Sequence, residues 1–504
     1  MANASCCICN AIIEGPVRTF GGRTYCERHF NKLVKHRGHV WADTAVLVLG
    51  LVLFILAVTV LAPVLRPILQ GDGLLIAGIV LAVVPALIWL AVFYTQDRLE
   101  PEPTVYLLGV FVLGALLASA VGQPLINGFF RVNEWASNTL LLRLLAGILI
   151  VGVVQEFLKY AAVRYSVFNS AEYDEQTDGI IYGAAAGLGY ATMLNIAYVI
   201  GAGGVDLGIG AVRVAVTALA QASFAGVTGY FLGRAKFEQR GPFWLPAGVL
   251  LAAALNGVIT VALGQIARAG LQATPLRGLI LAAVIAALTF GVLFVIMRRN
   301  ARAAQKPGFS EKPGFSGTSK EEPEWAVWAA VIGLLVVGLI VRGVIEGRTQ
   351  RFNGNGVALS YPAGWSVLAD TQPGQFLHVA DAFSPDLTPV GVSVRQLPAA
   401  EVGRGAQSLG DLTMMWSSRQ GQDLLGYNAL GVEPVKVRGK DAVAVDYAYV
   451  VQPPGAGIPT VIRAEDILLR SGDALTIVTF AAPVDEYAGQ AATWRRILAS
   501  LDVR

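Results

Sequence analysis

Val153-Val154-Gln155-Glu156-Phe157-Leu158-Lys159 places a carboxylate, an amide and an ammonium in the middle of an apolar run long enough to cross a bilayer. Insertion scales put each of the two charges at roughly 2.5–3.5 kcal/mol in such a position, so the pair needs a reason. Three residues apart on a helix, Glu156 and Lys159 share one face. An ion pair turned toward the interior of a helix bundle, satisfied by Gln155, Asn195, Gln221 or Asn256, is the plain reading.

Working outward, similar apolar runs centre near Leu53, Val84, Leu113, Gly152, Gly189, Ala222, Ala254 and Leu288. A ninth extends from about Trp325 to Val344, with Trp325 and Trp328 marking an interface. Of 504 residues, 55% are hydrophobic and 14% charged, and the apolar ones are bunched, which predicts a multidomain polytopic membrane protein. A net charge of +3 gives no case for nucleic acid. The first forty residues are polar and lack the apolar stretch of a cleavable signal, so the first span is expected to target the chain.

Basic clusters set the expected orientation. Lys32, Lys35 and Arg37 precede the first span, Arg234, Lys236 and Arg240 follow the sixth, and Arg298, Arg299, Arg302 and Lys306 follow the eighth. All fall on one side if the N-terminus is cytoplasmic. Nine crossings then place the C-terminus outside; Arg342, Arg348 and Arg351 beyond the ninth span run against the rule.

The chain divides into a zinc-module candidate at 1–40, a bundle of about eight helices at 41–300, a linker at 301–324, a ninth span at 325–346 and an extracytoplasmic α+β domain at 347–504. The linker repeats one word, Lys306-Pro-Gly-Phe-Ser310 and Lys312-Pro-Gly-Phe-Ser316, as a flexible tether does. In the last domain, Gly391–Arg395, Ala442–Tyr449 and Ala474–Phe480 alternate as strands, while Leu409–Arg419 and Tyr487–Leu501 have helical spacing. That domain has no cysteine, so no disulfide supports it.

At the N-terminus, Cys6-x2-Cys9 and Cys26-x2-His29 form two close pairs separated by sixteen residues. Each pair can chelate from one short turn, which is the arrangement of a closed structural zinc site. Val17–Phe20 and Arg23–Cys26 read as a hairpin around Gly21-Gly22, with a helix from about Glu27 to Lys35. Knuckle, hairpin and ligand-bearing helix resemble half of a LIM-type, treble-clef module. Forty residues bury too little to fold alone, so the metal is expected to supply the stability. Cys7 is a spare thiol.

Several words of the bundle belong together: Asp97-Arg-Leu-Glu100-Pro-Glu102-Pro103, Gln155-Glu156-x2-Lys159, the run Asp178-Gly-Ile-Ile-Tyr182-Gly183-Ala-Ala-Ala-Gly187-Leu-Gly189-Tyr190 with its Gly183-x3-Gly187 packing face, and Gly229-Tyr230. Their order resembles the PrsW family of intramembrane proteases, over about residues 75–300. The resemblance implies a conical bundle around a water-filled site, and metal-dependent cleavage of membrane-bound regulators in a signalling pathway. It also implies a ligand set that this chain largely lacks. Where the family carries a second glutamate before the lysine, this chain has Gln155. Its fifth-span glutamate is replaced by Leu194, beside a retained Asn195. Gln221 and Asn256 stand where histidines are expected. All four histidines (His29, His36, His39, His378) lie outside the spans. Amides are poor zinc ligands and cannot serve as general bases, so no metal is expected in the bundle and only Glu156 remains as a catalytic candidate.

The opening of the last domain, Val357-x-Leu-Ser-Tyr361-Pro362-x-Gly364-Trp365, and its ending, Trp494–Leu501, resemble PsbP-like domains, which bind partners. The expectation is a degenerate PrsW-like protein in the cytoplasmic membrane of a prokaryote, holding a transmembrane or extracytoplasmic protein partner. An active peptidase using Glu156 without metal is a second reading. A small-molecule transporter is a third, but no half-repeats are evident.

Overall fold

The computed structural model describes residues 5–9, 11–13, 18–20, 23–35, 40–65, 72–96, 102–136, 140–170, 172–173, 175–201, 209–238, 240–268, 273–303, 324–346, 348–369, 372–380, 390–403, 405–406, 408–452 and 459–503. The acidic turn at 97–101, the repeated linker words, His36 and His39 lie outside them. Two compact bodies emerge. One comprises Met1–Phe129, Gly147–Ile259 and Leu281–Val336; the other comprises Phe130–Ala146, Thr260–Ile280 and Val337–Arg504.

Among the described residues, nine helices are long and apolar enough to span a membrane: Ala42–Leu65, Asp72–Tyr94, Thr104–Phe129, Leu141–Ser166, Gln176–Ile200, Gly210–Phe237, Trp244–Leu263, Gly278–Asn300 and Glu324–Ile345, spans 1 to 9. Spans 5 and 6 are 78% and 83% buried, whereas spans 1 and 9 are 11% buried, so 5 and 6 form the centre of the first body. Without a hydrophobic drive between helices in lipid, close backbone approach supplies the packing. Gly179 and Gly229 meet backbone to backbone across spans 5 and 6; a methyl on either would overlap the other's carbonyl. Gly183 and Gly187 face Ala225 and Gln221 in the same seam. Arg213 lies with its guanidinium 3.7 Å from the Tyr198 ring centre.

Span 4 is not one regular helix, a feature that the small and aliphatic residues of its first half do not signal. Leu140–Ala146 is α-helical, Gly147–Gly152 is π-helical, and Val153–Ser166 is α-helical again. Span 3 carries matching π-helical stretches at Ala118–Gly122 and Pro124–Phe129. Span 9 grips span 4 through three contacts. Arg164 pairs with Glu324 at 2.5 Å, Trp328 donates to the Tyr165 hydroxyl at 3.1 Å, and Phe157 meets Trp328 edge-on at 4.6 Å.

At the N-terminus, a Ser5–Ile12 bridge closes a knuckle, strands β1 (Arg18–Phe20) and β2 (Arg23–Tyr25) form the hairpin, and a helix follows over Glu27–Lys35.

The second body contains two sheets. Strands β3 (Thr349–Gly354), β4 (Val357–Pro362) and β12 (Asp502–Val503) form a three-stranded sheet in the order β12-β4-β3. The larger sheet contains β5 (Ser366–Val367), β6 (Gln375–Ala380), β7 (Gly391–Pro398), β8 (Asn428–Val437), β9 (Lys440–Val451), β10 (Thr460–Ser471) and β11 (Ala474–Pro483). Its order is β5-β6-β7-β11-β10-β9-β8 and every pairing is antiparallel. Arg438 and Gly439 both take positive φ in the β8–β9 turn, the requirement of a tight hairpin. One core gathers Leu359, Trp365, Val392, Phe480, Trp494 and Ile497. The other packs Leu412 and Trp416, from the helix Leu409–Asp423, onto Leu468 and Ile477. That helix opens with a Ser408/Asp411 capping box.

Candidate functional site

The α-helical part of span 4 begins at Val153, so Gln155, Glu156 and Lys159 project from its first two turns toward spans 6 and 7. Glu156 and Lys159 are 0% and 1% exposed. Lys159 Nζ donates to Glu156 Oε1 at 2.6 Å and also to Gln221 Oε1. Asn256 Nδ2 donates to Glu156 Oε1 at 2.7 Å and to Gln155 Oε1 at 3.0 Å. Gln221 Nε2 reaches Asn256 Oδ1 at 3.1 Å and Gln155 Oε1 at 3.2 Å. The ammonium also lies 5.2 Å from the Tyr190 ring centre. Buried charge is tolerated when it is paired and hydrogen-bonded, and here both conditions hold for all but one atom. Glu156 Oε2 is buried without a hydrogen-bond partner.

The catalytic candidate Glu156 therefore converges with four of the six motif positions in the bundle: Gln155, Lys159, Gln221 and Asn256. The other two do not. Asn195 Nδ2 donates to the Val214 carbonyl at 3.2 Å, and Leu194 is half-buried without a polar role. The expectation that Asn195 helps to satisfy the pair is corrected: its place on span 5 aims it at the span 6 backbone. Tyr190 was missed as a member, although it closes the quoted glycine-rich run. Tyr182, in the same run, donates to Glu102 Oε2 at 2.5 Å.

A zinc-dependent site requires about three donors from His, Glu, Asp or Cys. The cluster offers one carboxylate among three amides, and an ammonium already bonded to that carboxylate. The donor set does not fit a divalent cation.

At the N-terminus it does fit. The ligand atoms of Cys6, Cys9, Cys26 and His29 all lie within 4.8 Å of one another. Cys26 Sγ is 3.2 Å from His29 Nδ1, Cys6 Sγ is 3.5 Å from the same nitrogen, and Cys9 Sγ is 3.9 Å from Cys26 Sγ. Tetrahedral ligands on Zn–S bonds of about 2.3 Å sit about 3.8 Å apart, which matches. Hydrogen bonding from the Cys26 backbone holds the Cys6 thiol down to about 5, favouring the thiolate that ligation needs. Cys7 is exposed and outside the group.

The C-terminal domain holds a buried acid, Asp466. It accepts from Thr479 Oγ1 at 2.6 Å, Trp416 Nε1 at 2.7 Å and the Tyr447 hydroxyl at 3.2 Å. Burial pushes its carboxyl above the usual range against these donors. With Trp416 and Tyr447 in the core and Thr479 half-buried beside them, this network is structural.

The family model for PrsW family intramembrane metalloproteases matches residues 102–292. "Protease PrsW" of Geobacillus kaustophilus is 32% identical over 177 residues, covering 35% of this chain and 75% of that protein. Its counterpart in Bacillus subtilis is 29% identical, covering 35% and 77%. Among solved structures, cyanobacterial PsbP from Synechocystis is similar at 15% identity and a TM-score of 0.25, covering 31% of this chain and 92% of that one. A putative regulator of unknown function from Pseudomonas aeruginosa is similar at 16% and 0.21, covering 31% and 99%.

Proposed function

This chain belongs to the PrsW family of intramembrane metalloproteases, and we propose that it is a member that holds a membrane-embedded protein partner without cutting it. One observation supports the reading above others. The positions where family ligands are expected meet in space as Gln155, Gln221 and Asn256 around Glu156, and the Lys159 ammonium is bonded into their midst. Such a cluster, buried and bonded within itself, orders spans 4, 6 and 7 into the scaffold on which a transmembrane segment would be held. It has no donor set for polarising a peptide carbonyl through zinc.

The N-terminal group is proposed as a structural zinc site, held by Cys6, Cys9, Cys26 and His29, on the cytoplasmic face. The basic clusters support that orientation and an extracytoplasmic C-terminal domain that engages the partner. The site in this reading lies in a cytoplasmic membrane.

Glu156 Oε2 favours a second reading. An unpartnered carboxylate oxygen could take a proton from a water, with the Gln221 and Asn256 amides as donors to an oxyanion. Two measurements separate the readings. Metal analysis of purified protein should give about one zinc per chain, falling to none in Cys26→Ser. In cells, at matched amounts of folded protein, Glu156→Gln should leave the phenotype and the fragment pattern of any captured partner unchanged, its effects on folding apart. A cleavage product that disappears in Glu156→Gln would establish the peptidase instead.

A further inference from the structure

Arg342, Arg348 and Arg351 put positive charge at and just past the end of span 9, against the charge rule. Arg342 is taken up by the protein itself, its Nη1 donating to the Phe130 carbonyl at 3.2 Å. Arg348 is exposed and lines a cleft formed wholly within the second body. Its backbone N–H donates to the carbonyl of Ile345, the last residue of span 9, at 3.1 Å. Three residues reach at most about 10 Å, and the headgroup layer on each side of a bilayer is roughly 5–8 Å deep. Held back by that turn, the Arg348 guanidinium stands at the level of lipid phosphates.

The same cleft takes a second guanidinium from the last helix of the domain, Ala491–Ser500. Arg496 and Thr493, three residues apart, share the helix face that lines it. Thr493 is 1% exposed, and among the described residues its hydroxyl has no hydrogen-bond partner. A buried polar group left in that condition calls for a ligand or a solvent molecule. Thr493 also stands in the first turn of its helix, where the backbone dipole is positive. Trp135 and Ile345 give the cleft an apolar wall, and none of the described residues that line it is acidic. Each guanidinium has five N–H donors, so a contact made elsewhere leaves others to offer. The free space is about 50 Å³. At about 10–15 Å³ for each water, that is room for roughly three to five waters, or one tetrahedral oxyanion.

We propose that this cleft is a binding site for a single phosphate group, held by Arg348 and Arg496 with the Thr493 hydroxyl. Paired arginines suit a phosphate because their planar forks match its oxygens. A lipid headgroup and a free phosphate both present that chemistry, and the place of Arg348 at the end of a span favours the headgroup. A headgroup bound there would tie the sheet domain to the bilayer surface at the foot of its own stalk, which gives the arginines past span 9 a role. Nothing in this proposal depends on the Glu156 cluster, so its failure and that of the non-cleaving reading are separate outcomes.

Calorimetric titration of the full-length chain in maltoside micelles tests it, with three probes: inorganic phosphate, dioctanoyl phosphatidylglycerol, and dioctanoylglycerol, which has the chains without the phosphate. Wild type is compared with Arg348→Gln, Arg496→Gln and Thr493→Val. Both arginines are exposed, so their replacement spares the core if Thr493→Val does not fold. Each arginine variant should weaken phosphate-dependent binding roughly tenfold or more, and Thr493→Val several-fold, with dioctanoylglycerol unaffected throughout. Phosphatidylglycerol binding at least about tenfold tighter than inorganic phosphate assigns the site to a lipid, and equal affinity assigns it to a free oxyanion. The absence of any difference between wild type and both arginine variants, with either phosphate probe, would overturn the site.

Discussion

Lys159→Met removes the one cation bonded to the buried carboxylate while keeping the length and most of the volume of the side chain. The cavity contribution is therefore small, and what is lost is the partner of Glu156. In the native cluster Glu156 Oε1 receives Lys159 at 2.6 Å and Asn256 at 2.7 Å, and its other oxygen receives nothing. Both residues are essentially fully buried. Breaking such a pair from one side costs about 3–5 kcal/mol, because the survivor stays charged in a dry site. Removing both charges in Glu156→Gln/Lys159→Met leaves an amide against a thioether and should cost no more than about 1–2 kcal/mol. The four proteins form a double-mutant cycle, read by denaturant-titrated unfolding in mixed micelles. The expected coupling is at least about 2 kcal/mol. A coupling near zero, with Lys159→Met as stable as wild type, would refute the closed ion-pair cluster and with it the occupied cation position.

Three further outcomes follow from the same structure. Gly229→Ala forces a methyl into the Gly179 carbonyl and should destabilise the bundle by about 1–3 kcal/mol in the same assay, whereas Gly50→Ala, which meets nothing, should be neutral. Gln221→His with Asn256→His would give Glu156 two imidazole neighbours, and one zinc equivalent more than the parent chain holds is expected in metal analysis. Asp466 holds its proton more tightly folded than unfolded, so its contribution to stability falls as pH rises from about 4 through its raised native value. Asp466→Asn should flatten that slope in tryptophan-fluorescence melts and cost about 1–3 kcal/mol through mispaired donors.

The parts of this molecule legible in its sequence are those set by periodicity and by strong local chemistry. Apolar run length fixes the spans, alternation marks β7, β9 and β11, and the paired Cys/His spacing brings four ligand atoms together. The convergence of Gln155, Glu156, Gln221 and Asn256 was legible only as motif register, since three separate spans contribute them. Asn195 illustrates the limit of register. It is adjacent in the motif, but its helix face turns it to the Val214 carbonyl. The π-helical turns left no trace because Gly147–Gly152 reads as one more small and aliphatic stretch. Trp135 sits in a short polar loop, and its burial depends on residues more than two hundred positions later. Long-range packing of that kind has no signature in local composition.

The clasp between spans 4 and 9 bears on how such a chain can vary. Arg164 with Glu324, Tyr165 with Trp328 and Phe157 with Trp328 place the ninth helix by side-chain grip, independently of the stretch of chain that leads to it. The intervening sequence then carries no positional information. Duplication or deletion of a Lys-Pro-Gly-Phe-Ser unit would be silent for assembly. A sheet domain on its own membrane stalk could accordingly be acquired or exchanged as a cassette, provided the incoming helix supplies an acid and a tryptophan four residues apart to meet the same hold.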